Sequence, residues 1–180
     1  MESLPLKKVN DEVYNATEPI IRLDRRAVEF IRECALRNPR GRARICAHRS
    51  PGERLHEMLI AITAASYVRP HRHHEKSESF HLVDGEAEVV VLSEDGSVED
   101  VIALGPGANF YYRLDAPRYH TVLPGSSVLV IHETTNGPFD PAQTDWAAFA
   151  PAEGTPEAAS YTARLRDAIS AWKKGCVTTC

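Results

Sequence analysis

An all-β core with a short helix before it and another after it is the fold class that the 180-residue chain predicts. Three observations carry it. From about Arg42 to His132, apolar and polar residues alternate at period two, as strands with one buried face do. Turn chemistry cuts that stretch into short pieces at Ser50-Pro51-Gly52, Asp84-Gly85, Glu94-Asp95-Gly96, Gly105-Pro106-Gly107 and Pro124-Gly125. No helical period intervenes, which favours an antiparallel sandwich or barrel over strand–helix–strand units.

Taken in order, residues 1–20 have mixed character and predict an irregular or edge-strand arm. Asp24 is a good N-cap, Ala27, Val28, Ile31, Ala35 and Leu36 recur at helical spacing, and Asn38-Pro39-Arg40-Gly41 is a good stop. Strands are predicted over 42–47, 56–63, 78–83, 87–92, 98–104, 109–114, 120–123 and 127–132, with a hairpin at Ser93-Glu94-Asp95-Gly96. Residues 138–156 hold four prolines and few periodic apolar positions, which predicts a packed loop anchored to the barrel wall by Trp146 and Phe149. A last helix over 156–173 sets Ala159, Leu165, Ile169 and Trp172 on its apolar side and ends before Gly175. The expected organisation is one domain: arm and helix at 1–41, barrel at 42–139, and a loop and helix packed on it at 140–180.

Composition narrows the function classes. Apolar content of 43% and charged content of 26% are those of an ordinary globular chain. A net charge of −4 argues against a nucleic-acid binder that works by neutralising phosphates. The basic stretch Arg37 to Arg49 reads as a solvated face. Met1 to Lys8 offer no apolar signal segment, and runs such as Val89 to Leu92 are too short for a membrane span, so the expected compartment is the cytoplasm. Cysteines at 34, 46, 176 and 180 fit no zinc-knuckle or thioredoxin spacing. Reduced, incidental thiols are expected; a redox pair of Cys176 and Cys180 is the alternative.

The most informative stretch is His71-Arg72-His73-His74-Glu75-Lys76-Ser77-Glu78, closed by Gly85. In extended chain His71 and His73 point the same way. Imidazole and carboxylate are donors for borderline and hard divalent cations. His71, His73 and Glu78 thus supply three ligands from neighbouring strands. His120, opening a later alternating stretch after Asp115-Ala116-Pro117, is the fourth candidate. Such a set leaves open positions on an octahedral ion for water or substrate, and it accepts Fe, Ni, Zn or Mn without choosing among them. Against this stands the plainer possibility of a His-rich solvated loop, to which His74, Glu75 and Lys76 are assigned.

The spacing His71-x-His73-x4-Glu78-x6-Gly85 resembles the first cupin motif. The second cupin motif, Pro-x-Gly-x2-His, keeps only its histidine here, in Asp115-Ala116-Pro117-Arg118-Tyr119-His120. Beyond the motifs, the chain over about residues 24–165 resembles the WbuC-type cupin metalloproteins found with bacterial polysaccharide (O-antigen) genes. The segments that carry this are Tyr67-Val68-Arg69-Pro70-His71-Arg72-His73, the Gly85 hairpin with Asp95-Gly96, Arg118-Tyr119-His120-Thr121, Glu133 with Gly137-Pro138-Phe139, and Trp146 through Ala150-Pro151-Ala152-Glu153-Gly154. The resemblance implies a cupin-type double-stranded β-helix (jelly roll), a divalent metal ion, a sugar-derived small-molecule ligand, and a homodimer formed through edge strands.

Further residues are candidates for binding substrate. Tyr67 and Tyr111 are either pocket contacts or buried aromatics with a hydroxyl partner, as Tyr112 and Tyr119 are. Arg69 and Arg118 flank the ligand stretches; each either takes an anionic group bidentately or stands in solvent at a strand end. Of His132 and Glu133 one must face inward; the resemblance makes Glu133 a pocket residue. Strand alternation puts His81 on the face opposite Glu78, and His48 and His56 read as structural or exposed. A bound cation can polarise a carbonyl or acidify a water. With the implied polysaccharide setting, isomerisation or epimerisation of a sugar or nucleotide-sugar follows as the expected reaction. Fe(II)-dependent dioxygenation and non-catalytic binding of a small ligand are the alternatives.

Overall fold

The computed structural model describes residues 4–177. Over these residues two β-sheets face each other, and a helix covers the outer side of each. The N-terminal arm forms β1 (Leu6–Lys8) and β2 (Val13–Ala16), so the arm is an edge-strand pair. Helix α1 (Arg25–Arg37) follows, with the Asp24 carboxylate accepting from the Arg26 N–H at its start. Then come β3 (Arg42–Cys46), β4 (Leu55–Thr63), β5 (His71–His73), β6 (Glu78–Asp84), β7 (Ala87–Leu92), β8 (Val98–Leu104), β9 (Tyr111–Leu114), β10 (Tyr119–Pro124) and β11 (Val128–Asn136). A short 3-10 turn (Pro141–Gln143) leads to β12 (Thr144–Trp146), and α2 (Glu157–Val177) completes the fold. One sheet runs β1-β2-β3-β4-β11-β6-β9 and the other β12-β5-β10-β7-β8.

The alternation read from the sequence sorts side chains into three cores. Ile62, Phe80, Val89, Leu104, Val122, Leu129 and Ile131 meet between the sheets. Their strand neighbours point the other way. Ala43, Ile45, Leu59, Ala61, Val128 and Val130 pack under Ala27, Val28, Ile31 and Ala35 of α1. Val90, Leu92, Tyr119 and Leu123 pack under Leu165 and Ile169 of α2, with Ala147 and Ala150 from the preceding loop. Each sheet therefore buries both faces, which is why runs such as Val89-Val90-Val91-Leu92 are apolar throughout.

Several expectations are corrected. Leu36 is exposed, because at 100° per residue it lies across α1 from the stripe set by Ala27, Ile31 and Ala35. In α2 the buried alanine is Ala158, and Ala159 faces solvent for the same reason. Helix α2 does not stop before Gly175 but passes through it to Val177; a glycine inside a helix costs only about 1 kcal/mol, and this one has no positive φ. Trp146 is 55% exposed rather than an anchor, and the loop is held by Ala147, Ala150 and the half-buried Phe149, whose ring meets Tyr119 edge-on at 5.4 Å. Strand β11 runs four residues past its predicted end, pairing with β4 and β6 through Thr135 on both sides. The arginines at 40 and 42 are not simply solvated: Glu153 takes both, and Arg40 also holds Glu12, tying the arm to the C-terminal loop. Cys34 is half-buried, Cys46 buried and Cys176 exposed; Cys180 lies outside the described residues.

Candidate metal centre

Strand register sets the site. His71 pairs with His120, and Trp146 pairs with His71, so these three side chains share one face of the five-stranded sheet. His120 alternates with the core residue Val122, which fixes that face as the inner one. On the facing sheet, Glu78 pairs with Thr135, Phe80 with Glu133 and Tyr112, and Phe80 belongs to the same core. Glu78, Glu133 and Tyr112 therefore look inward as well.

The four predicted donors meet. One ring nitrogen from each of His71, His73 and His120 lies within 4.8 Å of the others. The Glu78 carboxylate is 2.8 Å from His120 Nε2 and 3.6 Å from His73 Nε2. The second ring nitrogens are occupied: His71 Nδ1 lies 2.8 Å from the Arg69 carbonyl, His120 Nδ1 3.0 Å from the Arg118 carbonyl, and His73 Nδ1 3.0 Å from Thr144 Oγ1. A carbonyl only accepts, so Nδ1 of His71 and His120 carries a proton and Nε2 is the nitrogen left to face the cluster. Glu78 Oε1 and His120 Nε2 are buried and 2.8 Å apart, so that without a metal a proton on Nε2 joins them. A divalent ion bound about 2.1 Å from each donor sets neighbouring donors about 3 Å apart, close to the 2.8 and 3.6 Å from the Glu78 carboxylate to the His120 and His73 nitrogens. The residues fit a divalent cation.

Electrostatics point the same way. Burial pushes His71 down to about 4, with His120 adding to it, and burial lowers His73 too, so both rings are neutral near neutral pH, as metal binding would require. Burial alone would raise Glu78, but His120 above all, with His71 and His73, holds the carboxyl below its usual range. Burial opposes charge on His120 too, yet the Glu78 carboxylate lifts it above the ordinary value. Glu133 is pushed up to about 7 by burial, with the Glu78 charge adding to it.

The substrate-binding candidates separate. Glu133 faces the interior, one rung along the sheet from Glu78. Tyr67 does not reach the cluster: its hydroxyl donates to the Pro151 carbonyl at 3.0 Å, its ring meets Tyr161, and burial pushes it up to about 12. Tyr111 pairs with His81 on the outer face and is 46% exposed; strand parity gives the inward position to Tyr112, whose buried hydroxyl has no partner. Arg69 donates to the Ala147 carbonyl and lies 5.8 Å from the Trp146 ring, which in turn lies 5.4 Å from His71. The Arg118 side chain pairs with Glu99 at the surface, and only its backbone serves the site, through His120. His81 is exposed as alternation requires, His132 lies in a groove beneath α1, and His48 stacks on the buried His56 at 4.1 Å. Thr144 is a site residue that the sequence does not mark, and Tyr112 is one of four tyrosines whose alternatives the sequence leaves open. Thr144 stands in a short strand with no periodic signal, and Tyr112 could be separated from Tyr111 only by knowing the β6–β9 register. A polar cleft of about 390 Å³ opens on His73, lined by Glu75, Lys76, Ser77, Asn136 and residues 115–117.

A family model described as a domain of unknown function (DUF6016) matches residues 23–104, which takes in His71, His73 and Glu78 and stops short of His120. No curated protein matches the sequence. Among solved structures, a protein from Shewanella oneidensis aligns with a TM-score of 0.51 at 13% identity, over 67% of this chain and 83% of that one. L-ribose isomerase from Cellulomonas parahominis aligns at 15% identity over 63% of this chain and 72% of that one, with a TM-score of 0.48. The capsular polysaccharide assembling protein CapF from Staphylococcus aureus aligns at 17% identity and a TM-score of 0.48, over 61% of this chain but only 32% of CapF. At 13% identity the likeness to the Shewanella oneidensis protein is one of fold alone. No helix among the described residues is long and apolar enough to cross a membrane. The chain folds as two facing β-sheets with a cluster of three histidines and a glutamate between them.

Proposed function

We propose that this protein binds one divalent cation through His71, His73, Glu78 and His120 and acts on a small oxygen-rich ligand, a sugar or nucleotide-sugar. The observation that carries the proposal is the convergence of four donors, the Glu78 carboxylate 2.8 Å from His120 Nε2 and 3.6 Å from His73 Nε2 with His71 beside them, while the second nitrogen of each imidazole is already engaged. When bound, the cation supplies Lewis-acid polarisation of a carbonyl or hydroxyl oxygen. The chain supplies the rest. The cleft at His73 admits the ligand, and Lys76, Ser77 and Asn136 offer polar groups along its wall. Glu133 stands on the inner face where it can take a proton from a carbon next to a carbonyl, and Tyr112 offers a hydroxyl without a partner on the same rung. The sugar assignment, and kinship with the WbuC-type family of polysaccharide biosynthesis, rest on the segments that carry that resemblance. A homodimer belongs to the same reading, and the β9 edge beside exposed Phe110 and Tyr111 is where we place it.

Incubation of metal-loaded protein with a panel of aldoses, ketoses and nucleotide-sugars in D2O tests the reaction. Deuterium should enter next to a carbonyl in at least one of them, and His73→Ala should abolish both this exchange and metal binding. Exchange by metal-stripped protein would contradict the proposal. The three-histidine, one-carboxylate set also suits Fe(II); oxygen uptake with substrate, and no deuterium exchange, would transfer the assignment to dioxygenation.

A further inference from the structure

Residues 74–77 link His73 on the five-stranded sheet to Glu78 on the seven-stranded one. The two donors come within 3.6 Å although they belong to different layers. The shape of this four-residue link therefore decides whether they meet. The link contains neither glycine nor proline, yet Glu75 sits at φ +54, in the left-handed region that a residue with a side chain enters only at a cost. Something must hold it there.

The restraints come from neighbouring elements. The Asn136 carbonyl oxygen accepts from the Ser77 N–H at 2.8 Å, and the Asn136 amide donates to the Glu75 carbonyl at 3.0 Å. One side chain thus grips both flanks of the left-handed turn. Beside it, the Thr135 hydroxyl donates to the Ser77 carbonyl at 2.9 Å. At the other end, the His74 N–H donates to the Gln143 carbonyl at 2.8 Å. Thr135 is itself the strand partner of Glu78, so the end of β11 holds both the link and the ligand that follows it.

We infer that Asn136 is a positioning residue for the metal centre: its side-chain amide locks the 74–77 link in the turn that brings His73 and Glu78 to one cation. This rests on the metal-binding reading above. Asn136 acts through the two ligands, as groups behind a metal's direct ligands commonly do, and replacing such groups typically costs 10–100-fold in metal affinity. It also explains why β11 runs beyond the apolar alternation: its last residues serve the link.

Co(II) titration tests this, followed by visible absorption and by competition with a chelator. Asn136→Ala should bind Co(II) 10–100-fold more weakly than the unaltered protein, with its metal-free circular dichroism and melting temperature close to those of the unaltered protein. Asn136→Asp, which keeps the acceptor for Ser77 and loses the donor to Glu75, should fall between the two. Unchanged Co(II) affinity in Asn136→Ala would overturn the inference, as would a loss no larger than the loss of folded protein. Should Asn136→Ala fail to fold, Asn136→Asp decides: weaker binding supports the inference and unaltered binding overturns it. If the unaltered protein binds no Co(II), Ni(II) or Zn(II), the metal reading itself fails, and the inference with it.

Discussion

His120→Ala should lower affinity for a divalent cation by at least about 100-fold, the upper end of what loss of a group behind the ligands costs, because His120 is a ligand we place in direct contact. It should also destabilise the metal-free protein, since Glu78 is buried and His120 is its nearest counter-charge. Breaking a buried pair by removing one partner costs about 3 kcal/mol, visible as a lower urea midpoint. The pH dependence gives a sharper signature. The Glu78 pKa is lowered in the fold, so its contribution is present above its unfolded value of 4.5 and lost as pH falls through the lowered one. The His120 pKa is raised, so its contribution is complete below 6.5 and lost as pH rises through the raised value. The metal-free protein should therefore lose stability on the alkaline side of 6.5. Saturating Zn(II) should abolish that fall, because a metal-bound imidazole is neutral throughout. His120→Ala should lack it with or without metal.

Gly85→Ala should cost about 3 kcal/mol or more of stability. Gly85 has φ +88, and a Cβ there would stand 2.4 Å from Ser126 Oγ, 2.8 Å from the Val128 carbonyl oxygen and 3.3 Å from Leu129 Cα. Two of those three neighbours are backbone of β11, the strand that pairs with both β4 and β6, so they cannot yield without disturbing the sheet. Gly107 is the control. Its φ is +78 but no atom lies within 4 Å of a Cβ built on it, so Gly107→Ala should show conformational strain alone, about 1 kcal/mol. Comparing the two by chemical denaturation separates steric collision from backbone preference. Gly85 lies at the far end of β6 from Glu78, so folded Gly85→Ala should keep its metal affinity.

The barrel was legible because period-two alternation and turn chemistry mark out its short strands. Alternation set His71 and His73 on one face. The donor cluster was legible because its spacing is local for three of the four ligands, and the fourth opens an alternating strand. What the sequence hid falls into two kinds. Parity within a strand is readable, but parity between strands needs the register, and so Tyr111 was preferred where Tyr112 faces inward. Strands that line a polar site also lose their apolar rhythm. The end of β11 carries Glu133 and Thr135 at its inner positions and lies past the predicted strand, and β12, with Thr144 serving the cluster, falls in the predicted loop. Tyr67 misled for a third reason: it is near His71 in sequence, but its hydroxyl meets the C-terminal loop, whose position no local pattern gives.

Anomalous diffraction from crystals of the purified protein, collected at the absorption edge of whichever element its metal analysis finds, tests the central claim most directly. The account predicts one peak per chain, about 2 Å from Nε2 of His71, His73 and His120 and from the Glu78 carboxylate. A fully metal-loaded sample with no peak there, or with its peak on other residues, would contradict it.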